Sequence, residues 1–314
     1  MLLRAALLSA CRSPRWFRRR MGWALLLVGL AALLPGRLRA QEPLPGDSLV
    51  SVVLRDGTTL RGTIVEQDET TVVFLTIGGA EVRMPRSSIV SIRPIRGRVV
   101  DGVFQRFDPN YSRLLFAPTG RPLRKGDAYF SDFYVFFPGI AYGISDNFSL
   151  MAGMSIIPGI SLTQQLFYIA PRLGWRQSDK VAVSVGALYA SFLEEDISAG
   201  IAFAVGTFGE EDASFTAGLG LGYTKAGGAD FEFADHPIIM LGGNVRLSNG
   251  LAFVTENWLI TGSNFDLAEQ PFAVALRFFG EHIAVDAGLI LIGELLDEGL
   301  PIPLLSFVYN FGSN

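Results

Sequence analysis

Cysteine and histidine are almost absent from this chain, which has one cysteine and two histidines among 314 residues. Zinc sites and cysteine-dependent catalysis draw on these side chains, so we expect no metal, no cofactor and no catalytic residue. Charged residues are also sparse, at 18%, against 49% hydrophobic residues. This balance excludes a disordered chain. The lack of long apolar runs after residue 34 excludes a bundle of membrane-spanning helices.

The first forty residues have the composition of an export signal, with eight arginines and no acidic residue. An apolar run from Ala24 to Leu34 ends at Pro35-Gly36. A basic segment followed by a short apolar segment is typical of a secretory signal peptide, which we assign to residues 1–40. The run is shorter than the ~20 residues of a spanning helix, and an uncleaved anchor is the alternative. Residues 21–40 form a complete signal alone, so two start sites are open, Met1 and Met21.

Removal of residues 1–40 changes the charge of the chain. It leaves 18 basic residues against 30 acidic ones, a net charge of −12. Nucleic-acid binding needs a basic surface, so we expect no nucleic-acid partner. Cys11 is removed as well, and the exported protein then contains no disulfide.

A short linker, residues 41–48, precedes a segment of short β-branched runs. Turn residues separate these runs, among them Asp56-Gly57 and Gly78-Gly79, and such pairs are strong hairpin signals. Five strands in about fifty residues fit a small closed barrel, which has no exposed edges. We therefore predict a small β-barrel domain over residues 49–97, followed by a linker over residues 98–110.

This segment resembles the Sm-like family of five-stranded, SH3-type barrels. The matching positions are Gly57, Leu60, Gly62, Ile64 and Asp68. Two positions depart from the family: Val72 stands where the RNA-contacting asparagine falls, and Arg93-Pro94 replaces an Arg-Gly pair. An aliphatic side chain makes no hydrogen bond to a base. The resemblance therefore implies the fold without the RNA function, and it leaves a periplasmic protein as the possible partner of residues 49–97.

The rest of the chain, residues 111–314, alternates between small or polar and apolar residues. In 213–225, Phe215, Leu219 and their neighbours share one face, and Thr216 and Gly218 share the other. One apolar face and one small or polar face are typical of a lipid-embedded barrel. Twelve runs have this character, most of them long enough to span a membrane: 111–119, 128–144, 147–157, 164–176, 180–192, 197–208, 213–225, 236–248, 250–262, 269–279, 282–295 and 301–311. The predicted fold class is all-β, with an antiparallel transmembrane β-barrel of about twelve strands.

Short and long connections alternate along these runs, apart from the short link 193–196. The tight ones are 145–147, 177–180, 209–212, 248–250 and 280–282. Outer-membrane barrels have short periplasmic turns and long external loops. An even strand number returns both chain ends to the periplasmic side. We therefore expect the bacterial outer membrane as the location, with its lipid around the barrel and the small domain in the periplasm.

Two further stretches resemble known envelope proteins. The last run ends Phe307-Val308-Tyr309-Asn310-Phe311, which is similar to the C-terminal signal of outer-membrane barrels. This implies the barrel-assembly machinery as a partner during biogenesis. The stretch from Tyr111 to Phe148 looks like a group of bacterial outer-membrane barrel proteins without an assigned role. Aromatic residues near strand ends, Tyr129, Trp258 and Phe279 among them, are expected to face outward.

Charged residues of the barrel fall into two groups. Charges facing lipid cost ~2–4 kcal/mol at mid-membrane, so one group is expected to point into the lumen, where we favour pairing between them: Arg172, Arg246, Arg277, Asp286 and Glu294. The second group is clustered by the first expected external loop and is a candidate site for an anion such as a lipid phosphate: Arg113, Arg121, Arg124 and Lys125.

Three functions remain open at this point. The small residues of the inner face favour a barrel that binds or passes a small, amphipathic solute, although a flattened barrel or a plugging loop would also use small inner residues. The alternative is a non-conducting envelope component whose barrel anchors the periplasmic domain. The third is an outer-membrane lipid hydrolase, for which His236 and His282 are the candidate bases and a serine partner is needed in space.

Overall fold

The computed structural model describes residues 49–192, 194, 196–262, 265–293 and 301–311. The predicted signal peptide, the linker 41–48 and Glu294 lie outside the described residues. No helix in the described ranges is long and apolar enough to cross a membrane.

The N-terminal part is an antiparallel sheet of five strands, in the order β4-β3-β2-β1-β5. The strands are β1 (Val50–Leu54), β2 (Thr59–Gln67), β3 (Thr71–Thr76), β4 (Glu81–Pro85) and β5 (Ile89–Pro94). No backbone pairing joins β4 to β5 in the described residues, so hydrogen bonds do not close the sheet. Its core contains Val52, Val72 and Phe74, all fully buried. Val72, the position of the family's RNA-contacting asparagine, is therefore a core residue.

A short hairpin connects this sheet to the rest of the chain. It consists of β6 (Gly97–Val100) and β7 (Val103–Arg106). Asp101 and Gly102 form its turn, both with positive φ. The side chain of Asn249 holds the hairpin through the carbonyl of Phe104 and the N–H of Arg106, at 2.8 and 2.9 Å. The predicted linker 98–110 thus contains a structured hairpin.

Twelve antiparallel strands form a closed ring, because β8 pairs with both β9 and β20 and β13 pairs with β14. The two-residue strand β15 (Glu232–Phe233) pairs only with β14. The ring strands are β8 (Ala128–Phe133), β9 (Gly139–Gly143), β10 (Phe148–Met154), β11 (Leu166–Arg176), β12 (Val181–Phe192), β13 (Ile197–Gly209), β14 (Ala213–Ala226), β16 (Ile238–Ser248), β17 (Leu251–Ile260), β18 (Phe272–Phe279), β19 (Ile283–Leu291) and β20 (Ile302–Asn310).

Two of the predicted strands are wrong, and the two errors cancel in the count. Residues 111–119 form no strand of the ring. The predicted single strand 128–144 is instead the pair β8 and β9, joined by residues 134–138. Tyr134 and Val135 adopt positive φ in this connection, and Pro138 follows without a backbone N–H for a ladder. The barrel wall therefore begins at Ala128, and the residues before it are not part of the wall.

The outer face of the barrel is apolar, as the alternation predicts. On β14, Phe215 and Leu219 expose 52% and 57% of their surface, whereas Thr216 points inward and is fully buried. The same parity places Arg277 inward on β18, between outward Leu276 and Phe278. The wall therefore separates an apolar exterior from an interior that contains the charged residues.

The five tight connections predicted from the sequence all join consecutive ring strands. They lie at one end of the barrel, here called the turn side, and the opposite end is the loop side. Ala128, where the ring begins, and Asn310, where it ends, both lie at the turn side, since Phe311 N–H donates to the carbonyl of Ala128 at 2.8 Å. The β6–β7 hairpin also meets the turn side, at Asn249.

Candidate functional site

Residues 107–127 fold into the lumen of the barrel and are here called the plug. Its centre is a tight hairpin in which Leu114 N–H donates to Ala117 O and Thr119 N–H donates to Ser112 O, at 2.9 and 3.0 Å. Leu114 and Leu115 at its tip are buried. The apolar residues that predict a strand at 111–119 therefore lie inside the barrel. The segment is not one of the strands of the barrel wall.

The plug connects two separate stretches of the barrel wall, β12–β13 and β17. On one side Glu256 of β17 accepts hydrogen bonds from its tip. On the other side Ser184 of β12 donates to Thr119 O at 3.1 Å, and Thr207 of β13 accepts from Gly120 N–H at 2.8 Å. A Cβ at Gly120 would lie 2.1 Å from the carbonyl oxygen of Ala182, so this contact requires glycine. Both stretches hold the plug in place.

Glu256 binds the tip of the plug through backbone amides. Its Oε2 atom accepts from the N–H groups of Leu115, Phe116 and Ala117 at 2.9, 3.0 and 2.9 Å. Its Oε1 atom accepts from Trp258 Nε1 at 2.7 Å. Consecutive N–H groups form a concave anion site, as in other backbone nests. Four donors compensate the buried carboxylate, and charged hydrogen bonds of this kind contribute ~1.5–3 kcal/mol each.

Arg277 lies at the centre of a second buried cluster. Its Nε and Nη2 atoms donate to Asp286 at 2.6 and 3.1 Å, and its Nη1 atom donates to Asp108 at 3.0 Å. Nη1 and Nη2 of Arg277 also donate to the plug carbonyls of Asn110 and Leu114, respectively. The cluster joins two wall residues to the plug, because Asp108 belongs to the plug. A buried charge set of this type holds a position strongly, since removal of one partner leaves an uncompensated charge.

Two more arginines hold the plug through carbonyl oxygens. Arg172 of β11 donates to Ser112 O at 2.9 Å and to Arg121 O at 3.0 Å. Arg121, within the plug, donates to the carbonyls of Gly209 and Glu210 at 3.0 Å each, on the turn side.

The charges predicted to face the lumen do so where the structure describes them. Arg172, Arg277 and Asp286 are buried inside the barrel. Arg246 points inward at the turn side, where its Nε atom donates a hydrogen bond to Asp212 at 2.5 Å. Among the four described members of this group, Arg277 and Asp286 form the pair. Glu294 lies outside the described residues.

The four bases expected together near an external loop do not lie together. Arg113 and Arg121 are buried in the lumen, whereas Arg124 is exposed and stacks over the ring of Tyr111 at 5.9 Å. The N–H of Lys125 donates to Asp146 in a turn-side connection. The segment that contains them is the plug, so its position at an external loop is wrong. Glu256 was missed because its strand gives no clear parity in the sequence.

An apolar cavity of about 220 Å³ lies between the plug and the barrel wall. Its walls carry mostly aromatic and aliphatic side chains, contributed by the plug and by strands on both sides. Phe116 of the plug faces Phe133 of β8, with ring centroids 4.9 Å apart. Trp258 also lines the cavity and Tyr129 is buried beside it. These two residues and buried Phe279 face inward, so their predicted outward position is wrong.

Two arginines, Arg113 and Arg172, are the charged residues among the described groups that line this cavity. No acidic side chain is among those lining groups. The guanidinium of Arg113 lies 4.6 Å from the ring centroid of Phe133 and donates to Ser306 Oγ at 3.1 Å. Its Nε atom is buried without a hydrogen-bond partner. The cavity thus combines apolar walls with a positively charged end.

Histidine, serine and acidic side chains are the groups that metal or hydrolytic chemistry would use. They contain no group of three or more His, Cys, Asp or Glu side chains arranged to hold a metal ion. His282 lies near Tyr309, with ring centroids 6.2 Å apart. Within the residues that the structure describes, no hydrogen bond connects His236 or His282 to a serine.

No family model and no curated protein matches the chain. Among solved structures it is similar to the KdgM porin in complex with disordered oligogalacturonate, with 8% identity and a TM-score of 0.40 over 59% of this chain and 95% of that chain. The NanC porin gives 11% identity and a TM-score of 0.37 over 59% and 97%. Salmonella typhi OmpF in complex with daunomycin gives 8% and 0.31 over 84% and 95%. With TM-scores below 0.5, these likenesses determine neither location nor solute, and the closed ring rests on the strand pairing above.

Proposed function

We propose that the chain is an outer-membrane β-barrel whose lumen binds a small amphipathic solute and releases it across the membrane when the plug moves. The observation that carries the proposal is the apolar cavity between plug and wall. Ligand sites are concave and mostly apolar, with a few polar groups that fix orientation. This cavity has that composition.

The closed ring and the outer surface of the barrel support a membrane location. A closed ring pairs its backbone groups internally, which hydrocarbon requires. Soluble monomers rarely expose large continuous apolar patches, whereas this barrel exposes aromatic and aliphatic side chains around its outer face. In this arrangement the turn side and the five-stranded sheet face the periplasm, and the assembly machinery inserts the barrel through its last strand, β20.

Passage of the solute requires displacement of the plug. The plug is held between β12 and β17 by hydrogen bonds at Thr119 and Leu115. The plug is one continuous segment, residues 107–127, and in this proposal it leaves the lumen as a unit. In the resting state we expect binding without free flow of ions.

Quenching of Trp258 fluorescence tests binding. A chain without residues 1–40 and with Trp175→Phe retains Trp258 as its only tryptophan. In this background a brominated alkyl solute is expected to quench Trp258 saturably. Ala141→Phe places a ring in the cavity, since Ala141 lines it and is 2% exposed, and should abolish quenching. Ala217→Phe adds the same ring to the outer face and should leave quenching unchanged. Equal quenching in both variants contradicts the proposal.

The second candidate function is a non-conducting envelope component that anchors the periplasmic sheet. The plug favours it, because it fills the lumen and connects separate stretches of the wall. This function needs a protein partner for residues 49–97, where Val65 and Val90 expose 60% and 64% of their surface. Photo-crosslinkers at these two positions of the full chain should capture one envelope protein in intact cells. Capture of nothing beyond lipid counts against this function.

A further inference from the structure

We propose that the solute of the cavity is an amphipathic monoanion with a short or medium apolar tail, whose carboxylate or equivalent oxyanion binds Arg113. The inference rests on the proposed function and specifies the class of its ligand. It comes from the distribution of charge around the cavity.

The buried acids of the lumen are directed away from the cavity. Asp108 and Asp286 accept from Arg277, and Glu256 accepts from the plug amides and Trp258. None of these three carboxylates is among the groups that line the cavity. Arg113 and Arg172 do line it. An occupant therefore meets two guanidinium groups and no acidic side chain among the groups that line the cavity.

Arg113 has capacity left for a ligand, and Arg172 has less. Arg172 donates from both terminal nitrogens to plug carbonyls. The Nη2 atom of Arg113 donates to Ser306 and lies 3.9 Å from Asp286, which is already bound to Arg277. The Nε atom of Arg113 is buried and unpartnered. The Nη1 atom of Arg113 has no hydrogen-bond partner among the described residues either, so this guanidinium keeps donor capacity for an oxyanion in the cavity.

The other residues that line the cavity determine which kind of tail the ligand can have. Phe116, Phe203, Met240 and Trp258 present apolar surface to the cavity, which suits an alkyl or aryl tail and opposes a polar sugar. The volume of about 220 Å³ is below the ~300–1,000 Å³ of sites for drug-sized ligands. A short or medium chain fits better than a long lipid tail.

The test compares three brominated probes of equal length that differ only in the head group: a decanoate, a decanol and a decyltrimethylammonium. Each is titrated against the Trp175→Phe chain in nonionic detergent, with Trp258 quenching as the readout. We expect the carboxylate to bind at least about tenfold more tightly than the alcohol, and the ammonium to bind most weakly. Equal affinity for carboxylate and alcohol overturns the anion inference but leaves the proposed binding function intact. Failure of all three to quench overturns both.

Substitution of Arg113 locates the anion site. Arg113→Gln should remove the preference for carboxylate over alcohol, and Arg113→Lys should retain part of it. Arg176→Gln is the matched control, because Arg176 lies on β11 near Glu211 and does not line the cavity. A preference that persists in Arg113→Gln overturns the assignment to Arg113. Should Arg113→Gln fail to fold, the head-group comparison in the Trp175→Phe chain still decides.

Discussion

Arg277 and Asp286 lie directly opposite each other on β18 and β19, and two hydrogen bonds of 2.6 and 3.1 Å join them inside the barrel. The same guanidinium reaches Asp108, Asn110 and Leu114 of the plug. One side chain therefore connects the wall to the segment that fills the lumen. The stability of the barrel and the position of the plug are coupled through it.

Arg277→Met should destabilise the refolded barrel by about 3–5 kcal/mol, because it removes the guanidinium that compensates the buried carboxylates of Asp108 and Asp286. The double variant Arg277→Met/Asp286→Leu should lose less than the sum of the two single variants, since it removes both members of a pair. Urea unfolding in lipid vesicles measures these free energies. Arg176→Met, at the turn-side rim, is the control. An Arg277→Met cost no larger than that of the control contradicts the coupling.

Glu256→Ala should release the tip of the plug and raise ion conductance. The loss of even one charged hydrogen bond, at ~1.5–3 kcal/mol, raises the released population roughly tenfold or more, at ~1.4 kcal/mol per tenfold. Single-channel recording in planar bilayers measures this change. Asp230→Asn, in the exposed connection before β16, should conduct like the unmodified chain. Identical currents from Glu256→Ala and the unmodified chain would show that Glu256 does not hold the plug.

The orientation of the barrel is testable with single cysteines, because the exported chain has none of its own. A membrane-impermeant maleimide added to intact cells should label Asp230→Cys, at the loop side. It should label Asp179→Cys, in the turn-side connection 177–180, only after the outer membrane is permeabilised. The reverse pattern would place the five-stranded sheet outside the cell.

The turn between β2 and β3 should loosen in acid because of Asp68. Backbone hydrogen bonds from Thr70 and Thr71, at 2.7 Å each, lower the pKa of this carboxyl below its ordinary value of 3.8. A lowered pKa means that the contribution to stability is complete above the ordinary value and is lost as the pH falls through the lower one. The amide NMR signals of Thr70 and Thr71 should shift below pH 3.8 and lose this response in Asp68→Asn. Glu69→Gln is the control, and an unchanged response in Asp68→Asn refutes the assignment.

The strand faces were predictable because lipid and lumen impose opposite demands on alternate residues. Phe215 and Thr216 show this directly, one exposed and the other fully buried. The tight turns were predictable because they too depend on residues that are close together in the sequence. The plug was not, because an apolar stretch such as Leu114-Leu115-Phe116 can be covered by lipid, by a core or by a lumen, and its sequence is the same in each case.

The candidate site could be predicted only in part. Arg172, Arg277 and Asp286 were identified because a charge on a membrane strand has to face inward. Their contacts with the plug were not, since Arg172 and Arg277 bind its backbone carbonyl groups, and the amino-acid sequence does not show which backbone groups a side chain will bind. The positive φ of Tyr134 and Val135 was equally hidden, although Pro138-Gly139 marks the nearby break between β8 and β9.

Spin-label accessibility along β14 tests most directly whether hydrocarbon surrounds the ring. Labels are placed one at a time at the outward positions Phe215, Ala217, Leu219 and Leu221 of the chain in liposomes, with Asp230 as the aqueous reference. We expect the four outward labels to collide with dissolved oxygen and to be shielded from a water-soluble nickel chelate, with the opposite result at Asp230. Access of the chelate to the outward positions equal to that at Asp230 would contradict a barrel in the membrane.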